Sequence, residues 1–312
     1  MDSVKTTCVS RPKKVDKKLL FYAICISIPV LHFLIFYVYI NFNSFLLAFR
    51  EYEFSAQGIT YVNVAFKNFA AAWENITTYG VRIGNSILYL VINFGISTPI
   101  ILLMSFYIYK NRLFGGFFKV MLFMPQILSA VVFGLIYKCI TNDVYLVLFP
   151  DAEANLLFDL NKAKWAIILF NLIINLGVNM LMYTSAMSGV NKSIVESAEI
   201  DGCTAMKEFR YIMLPMIYPT ILTLGIVTLA RVFTDQYNLY TLYQNAAPSN
   251  VPSIGYFLYL QANQPADNAL IGQEGYLSYP VLSAYGLILT AIVLPTTLFL
   301  RWLLNKYGPS AD

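Results

Sequence analysis

Six stretches without a charged residue constrain this chain more than anything else in it: Leu19 to Phe49, Ile83 to Tyr109, Val120 to Tyr137, Trp165 to Asn191, Tyr211 to Ala230 and Gly275 to Leu300. A helix needs about 20 apolar residues to cross the hydrocarbon core, and a transmembrane strand about 10 of alternating character. The windows are continuous rather than alternating. They predict an all-α, polytopic membrane protein with six transmembrane helices. Composition agrees, since 12% of the 312 residues are charged and 58% hydrophobic, against roughly 25% charged in a soluble domain.

The same sequence closes several functional classes. A single histidine, His32, excludes a multi-histidine metal site. Cys8, Cys25, Cys139 and Cys203 contain no C-x-x-C pair, so neither a zinc knuckle nor a redox motif is expected. No Gly-Lys dipeptide occurs, which removes a Walker A loop. If ATP drives this protein, another chain must hydrolyse it.

Basic loops stay on the cytoplasmic side of a membrane. Lys5, Arg11, Lys13, Lys14, Lys17 and Lys18 precede the first window and place the N-terminus inside. Threading six spans from there also puts Lys110, Arg112, Lys119, Lys192, Lys207, Arg210, Arg301 and Lys306 inside, so both termini are expected to be cytoplasmic. Topology and anionic lipid account for the basic tail, and no nucleic-acid role is expected. The chain divides into a basic tail (1–18), a transmembrane domain (19–304) with a long cytoplasmic loop at about 188–216, and a short C-terminal tail (305–312). Of the outside loops, Glu51 to Arg82 suits a short extended segment and a surface helix, and the loop Asn238 to Pro280 suits a helix over Ser253 to Ala262.

The long cytoplasmic loop carries the strongest local signal. Ser193 with Glu196 three residues on reads as a capping box that starts a helix. Gly202 reads as its stop, being the residue that adopts the left-handed cap without steric cost. A second helix is predicted from about Thr204 to Met213, meeting Pro215 at the entrance to the fifth span. Ile194, Val195, Ala198 and Ile200 give the first helix an apolar side. Either a partner or the bundle itself covers that side.

The run Glu196-Ser197-Ala198, then Asp201-Gly202, Phe209 and Leu214-Pro215, resembles the EAA loop of permease subunits in binding-protein-dependent ABC importers. It departs from the family pattern at Ser197 and Cys203, both small where the family has Ala. Asn63 to Ser86, Val232 to Leu242 and Leu282 to Ser310 are similar to segments of carbohydrate permeases of the maltose and glycerol-phosphate type, although Ala246-Ala247-Pro248 stands where many relatives have Gly-Gly-Pro. The resemblance implies a type I ABC importer permease fold in the bacterial cytoplasmic membrane. It implies as partners a second permease, two ATPase subunits that hold the ATP and Mg, and an extracellular solute-binding lipoprotein. The segment Ser193 to Asp201 would dock in a groove of the ATPase, Glu196 would pair with a group there, and Gly202 would let the two helices approach closely. No catalytic residue, metal or cofactor is expected in this chain.

Polar groups inside a span cost about 2.5 kcal/mol or more when ionisable and are functional suspects. Arg231 and Asp235, at i and i+4 near the outer end of the fifth span, are spaced to face each other. Asn171, Asn175 and Asn179 share one face of the fourth span. They would either bind sugar hydroxyls or join helices. With Gln236 and Tyr237 they form the candidate lining for a neutral, hydroxyl-rich solute. Arg231 leaves room for an anionic one, such as a glycerol-phosphate ester. A secondary transporter would show mid-membrane ionisable groups or repeated halves, and an intramembrane enzyme a nucleophile with a base or metal. Neither pattern is clear.

Overall fold

The computed structural model of the protein describes residues 17–55, 58–150, 155–263 and 277–309. The expected basic tail before Lys17, Asp151 and Glu153 in the loop from Lys138 to Lys164, residues 264–276 of the loop Asn238 to Pro280, and residues 310–312 lie outside the described residues. Along the chain come α1 (Ile24–Leu47), a hairpin of β1 (Arg50–Ser55) and β2 (Gly58–Asn63), α2 (Lys67–Thr78), α3 (Gly80–Tyr109), α4 (Gly115–Ile127), α5 (Ala130–Leu148), α6 (Ala163–Ser188), α7 (Lys192–Ile200), α8 (Ala205–Met216), α9 (Tyr218–Ala230), α10 (Leu239–Tyr243), α11 (Ile254–Asn263) and α12 (Tyr279–Tyr307).

The charge-free windows become helices. Among the described residues, α1, α3, α5, α6 and α12 are each long and apolar enough to cross a bilayer, and the bent pair α8 and α9 makes six if it counts as one broken span. The bend corrects the expected fifth span. Tyr211 to Ala230 is not one rod, because α8 runs on to Met216 and meets α9 at 66°. Pro219 lies in the first turn of α9, where its missing N–H would have had no helical partner. The third window also breaks. Leu128 is extended and Ser129 caps α5 by accepting a hydrogen bond from the Val131 N–H at 3.3 Å, three residues after Pro125 removes a donor from α4.

The loop Glu51 to Arg82 forms the expected extended segment, as a hairpin, and the expected helix. The hairpin pairs Arg50 with Asn63 and Tyr52 with Tyr61. On α2, Asn68, Ala72 and Ile76 are buried at i, i+4 and i+8. The Asn68 side chain donates to the carbonyls of Ala48 at 3.0 Å and Arg50 at 2.7 Å, pinning the start of α2 to the end of α1.

The 26-residue α6, about 39 Å long, is the axis of the bundle. It lies parallel to α3, whose Ser105 hydroxyl donates to the Met180 carbonyl at 3.1 Å, and antiparallel to α4 and α5. A Cβ on Gly177 would lie 2.9 Å from the Phe123 Cα, so only glycine lets α4 approach this closely. At one end of α6, Tyr137, Phe170, Tyr237 and Tyr243 share a core. At the other, Phe106, Met187, Val195, Phe209 and Met213 do. By contrast, no residue of α1 is buried in this chain.

Candidate coupling site and translocation path

The loop between α6 and α9 is built by two caps. Asn191 has extended backbone and its side chain accepts from the Ser193 N–H at 3.1 Å, so α7 begins at Lys192. This corrects the expected capping box. Ser193 sits inside the first turn, and its hydroxyl also binds Asn191, at 3.0 Å. At the other end Gly202 has φ +75°. The Cys203 N–H donates to the Ala198 carbonyl at 2.9 Å and the Gly202 N–H to the Glu199 carbonyl at 3.1 Å, the two bonds of a Schellman turn. A Cβ at Gly202 would meet nothing within 4 Å. The glycine is therefore required by its backbone conformation, the left-handed stop expected from the sequence, and not by the close approach of two helices that the family resemblance implied.

The loop motif divides by burial. Phe209 is buried with its ring 5.1 Å from that of Phe106 on α3, Leu214 is half-buried on the same core, and Pro215 is half-buried. Val195 is buried there too and attaches α7 to the bundle. Glu196, Ser197, Asp201 and Gly202 are exposed, and Ala198 is half-buried. Ile194 is 41% exposed and Ile200 86%. Of the predicted apolar side, Val195 is thus covered by the bundle while Ile194 and Ile200 face outward.

One residue of this site escapes sequence reasoning. Lys110 caps the end of α3, and its ammonium lies 2.8 Å from Glu199 on α7 and 2.7 Å from Glu208 on α8. The Lys110 side chain is 15% exposed and that of Glu208 only 2%. Burial works against the Lys110 charge, but hydrogen bonds to Glu199 and Glu208 outweigh it and raise the pKa above the usual lysine value. The hydrogen bond from Lys110 in turn holds the Glu199 carboxyl below its usual value. The available signal was position: Lys110 ends a charge-free window next to a loop that carries carboxylates.

At the opposite end of the bundle the candidate path residues separate. Asn171 is buried, and its amide donates to the carbonyls of Ile167 at 2.9 Å and Tyr237 at 2.8 Å while its oxygen accepts from the Asn238 amide at 2.8 Å. Tyr237 and Asn238 both have positive φ, 51° and 56°. Asp235 accepts from the Tyr237 N–H at 2.8 Å, and the Tyr237 hydroxyl donates to the Ser86 carbonyl at 3.3 Å. Asn171, Asp235 and Tyr237 therefore build a strained turn after α9, in which Asn171 and Tyr237 are buried and Asp235 is half-buried. The expected facing of Arg231 and Asp235 is corrected too. The helix ends at Ala230, Arg231 is exposed, and no ion pair joins the two among the described residues. Asn175 is exposed on α6, and Asn179 and Gln236 are half-buried; none of the three side chains makes a hydrogen bond to the rest of the chain among the described residues.

Five apolar helices of membrane length, six with the bent pair, and a two-helix loop turned at a left-handed glycine are the layout of a polytopic integral membrane protein. The sequence profile of binding-protein-dependent transport system inner membrane components matches residues 69–309, and the chain belongs to this family. The arabinooligosaccharides transport system permease protein AraP of Bacillus subtilis (strain 168) is 28% identical over 262 residues, 78% of this chain and 80% of that one. The fold is shared with a bacterial ABC transporter involved in the import of the acidic polysaccharide alginate, at a TM-score of 0.75 and 19% identity over 93% of this chain and 96% of that one. It is shared as well with the alginate transporter in complex with an alginate pentasaccharide-bound periplasmic protein, at a TM-score of 0.71 and 18% identity over 93% and 95% of the two chains.

Proposed function

We propose that this chain forms half of the translocation path of an ATP-driven importer for an oligosaccharide handed over by an extracellular solute-binding lipoprotein. A second, related permease completes the path, and two separate ATPase subunits bind ATP and Mg. The observation that carries this reading is the outward face of α7, where Ile194, Glu196 and Ile200 stand exposed on a helix fixed at both ends. An isoleucine 86% exposed at the tip of a polar loop fits burial in a partner's groove. The loop end of the bundle, with both termini, faces the cytoplasm in this reading, which follows the excess of Lys and Arg there. The motif's residues divide the work. Glu196, Ser197, Ala198, Asp201 and Gly202 meet the ATPase, while Phe209, Leu214 and Pro215 pass its movement to the bundle.

The relative's arabinooligosaccharides support a carbohydrate. Asn175, Asn179 and Gln236 offer amide donors and acceptors with no fixed charge, which suits sugar hydroxyls. Arg231 favours a second reading, an anionic solute, because it is exposed beside the path without an ion-pair partner among the described residues. The acidic polysaccharide of the structural neighbour points the same way. A photo-crosslinker at Ile200 tests the docking: it captures an ATPase subunit in the assembled transporter, and labelling of lipid or of this chain alone would remove the assignment.

A further inference from the structure

Lys110 joins three helices through one ammonium, and the family motif leaves it out. It stands at the end of α3 and binds Glu199, three residues before the hinge glycine, and Glu208, six residues after it. Both sides of the Gly202 hinge are therefore tied to the same point on a membrane span. The tie is not a surface ornament. Exposed ion pairs contribute about 0–1 kcal/mol, but Glu208 is 2% exposed and its second carboxylate oxygen is buried without a hydrogen-bond partner among the described residues. Removing Lys110 would leave the buried Glu208 side chain without the one partner it has among the described residues, the costly way to break a buried pair. The neighbouring Phe106 and Phe209 rings close the apolar side of the same junction.

We propose that Lys110 is a positioning residue that locks the Gly202 hinge to α3, so that force applied to α7 moves the span instead of flexing the loop. This rests on the reading of α7 as the ATPase-docking helix. Such force has somewhere to go. The far end of α3 holds the loop before α11: the Asn85 amide donates to the carbonyls of Asn250 at 2.8 Å and Pro252 at 3.0 Å, and the Tyr89 hydroxyl donates to the Val251 carbonyl at 2.9 Å. One helix thus grips the hinge at one face of the membrane and a loop at the other.

The test uses the assembled transporter in proteoliposomes with its solute-binding protein. Lys110→Met keeps the ATPase subunits bound and hydrolysing, while the ATP consumed per solute imported rises about tenfold, within the usual range of coupling energies. Lys110→Arg, which can reach both carboxylates, restores the ratio. Because Lys110→Met also strands a buried charge, the double variant Lys110→Met with Glu208→Gln removes that charge at constant shape. A residue needed only for folding would be rescued by it, and recovery of normal coupling in the double variant overturns the proposal. So does an unchanged ratio in Lys110→Met, or loss of the ATPase from that variant. If the wild-type chain itself holds no ATPase, the docking reading falls and the proposal with it; if it does and Lys110→Met couples normally, only the proposal falls.

Discussion

Substitution at Gly202 separates the backbone demand of the hinge from the chemistry of its surface. The residue has φ +75°, a region that costs an ordinary L-residue roughly 1–2 kcal/mol. Its Cβ would meet nothing within 4 Å, so no packing cost adds to that. Gly202→Ala therefore lowers the formed-to-unformed ratio of the Schellman turn by a factor of about 5–30, and uptake falls with the fraction formed if the turn must be present for the ATPase to dock. Asparagine visits the left-handed region more readily, and Gly202→Asn should lose less than about 1 kcal/mol. Gly202→Asp has almost the same shape and backbone preference as Asn but adds a negative charge beside the exposed Asp201. With the chain still inserted, Asp abolishes transport while Asn retains most of it. The assay is solute uptake into proteoliposomes alongside capture of the ATPase subunits by the tagged permease. Equal uptake by the Asn and Asp variants would refute docking at this surface, and wild-type uptake by Ala would refute the need for the turn.

Three further outcomes follow from the packing. Asn171→Ala strips the Tyr237 carbonyl and the Asn238 amide of their partner and should cost about 1–3 kcal/mol, seen as a lower melting temperature in detergent, whereas Asn175→Ala leaves stability unchanged and reduces uptake. Gly177→Leu drives a side chain into the Phe123 backbone and destabilises the chain by about 1–3 kcal/mol; undiminished thermal stability would contradict the α4–α6 contact. The Lys110 junction should hold across a wide pH range. The raised Lys110 pKa gives a contribution that is complete below the ordinary lysine value, about 10.4, and lost as pH rises through the folded value, while the lowered Glu199 pKa gives one present above about 4.3 and lost as pH falls through its folded value. A fluorophore on Lys192→Cys, at the start of α7, should report constant mobility from about pH 5 to pH 10, and a transition near neutrality would contradict the assignment.

The spans were legible because a bilayer admits few ways to satisfy a backbone, and charge-free windows mark them directly. The turn at Gly202 was legible because glycine takes the left-handed cap at a helix end without steric cost, whereas the positive φ of Tyr237 and Asn238 carried no such mark in the sequence. What the sequence did not disclose depends on where chains meet. The fifth window reads as continuous, yet Pro219 and the turn at Ile217 fold its first third against α3. Asn171 and Asn175 look equivalent on a helical wheel, and only the strained turn at Tyr237 and Asn238, arriving from 66 residues away, makes one a structural clamp and leaves the other exposed. Lys110 reads as one more basic residue on the inner side until α7 and α8 fold over it. Ser193 and Glu196 have the spacing of a capping box, but Asn191 caps α7 first and occupies the Ser193 hydroxyl.

The central claim is that this chain moves solute on energy received through α7 and not on an ion gradient. Uptake by proteoliposomes holding this permease, its partner and the ATPases measures it most directly, with solute-binding protein outside and nucleotide inside. The account predicts uptake that requires ATP and the binding protein and persists when a protonophore collapses the gradient. Uptake that continues without ATP and stops with the protonophore would contradict it.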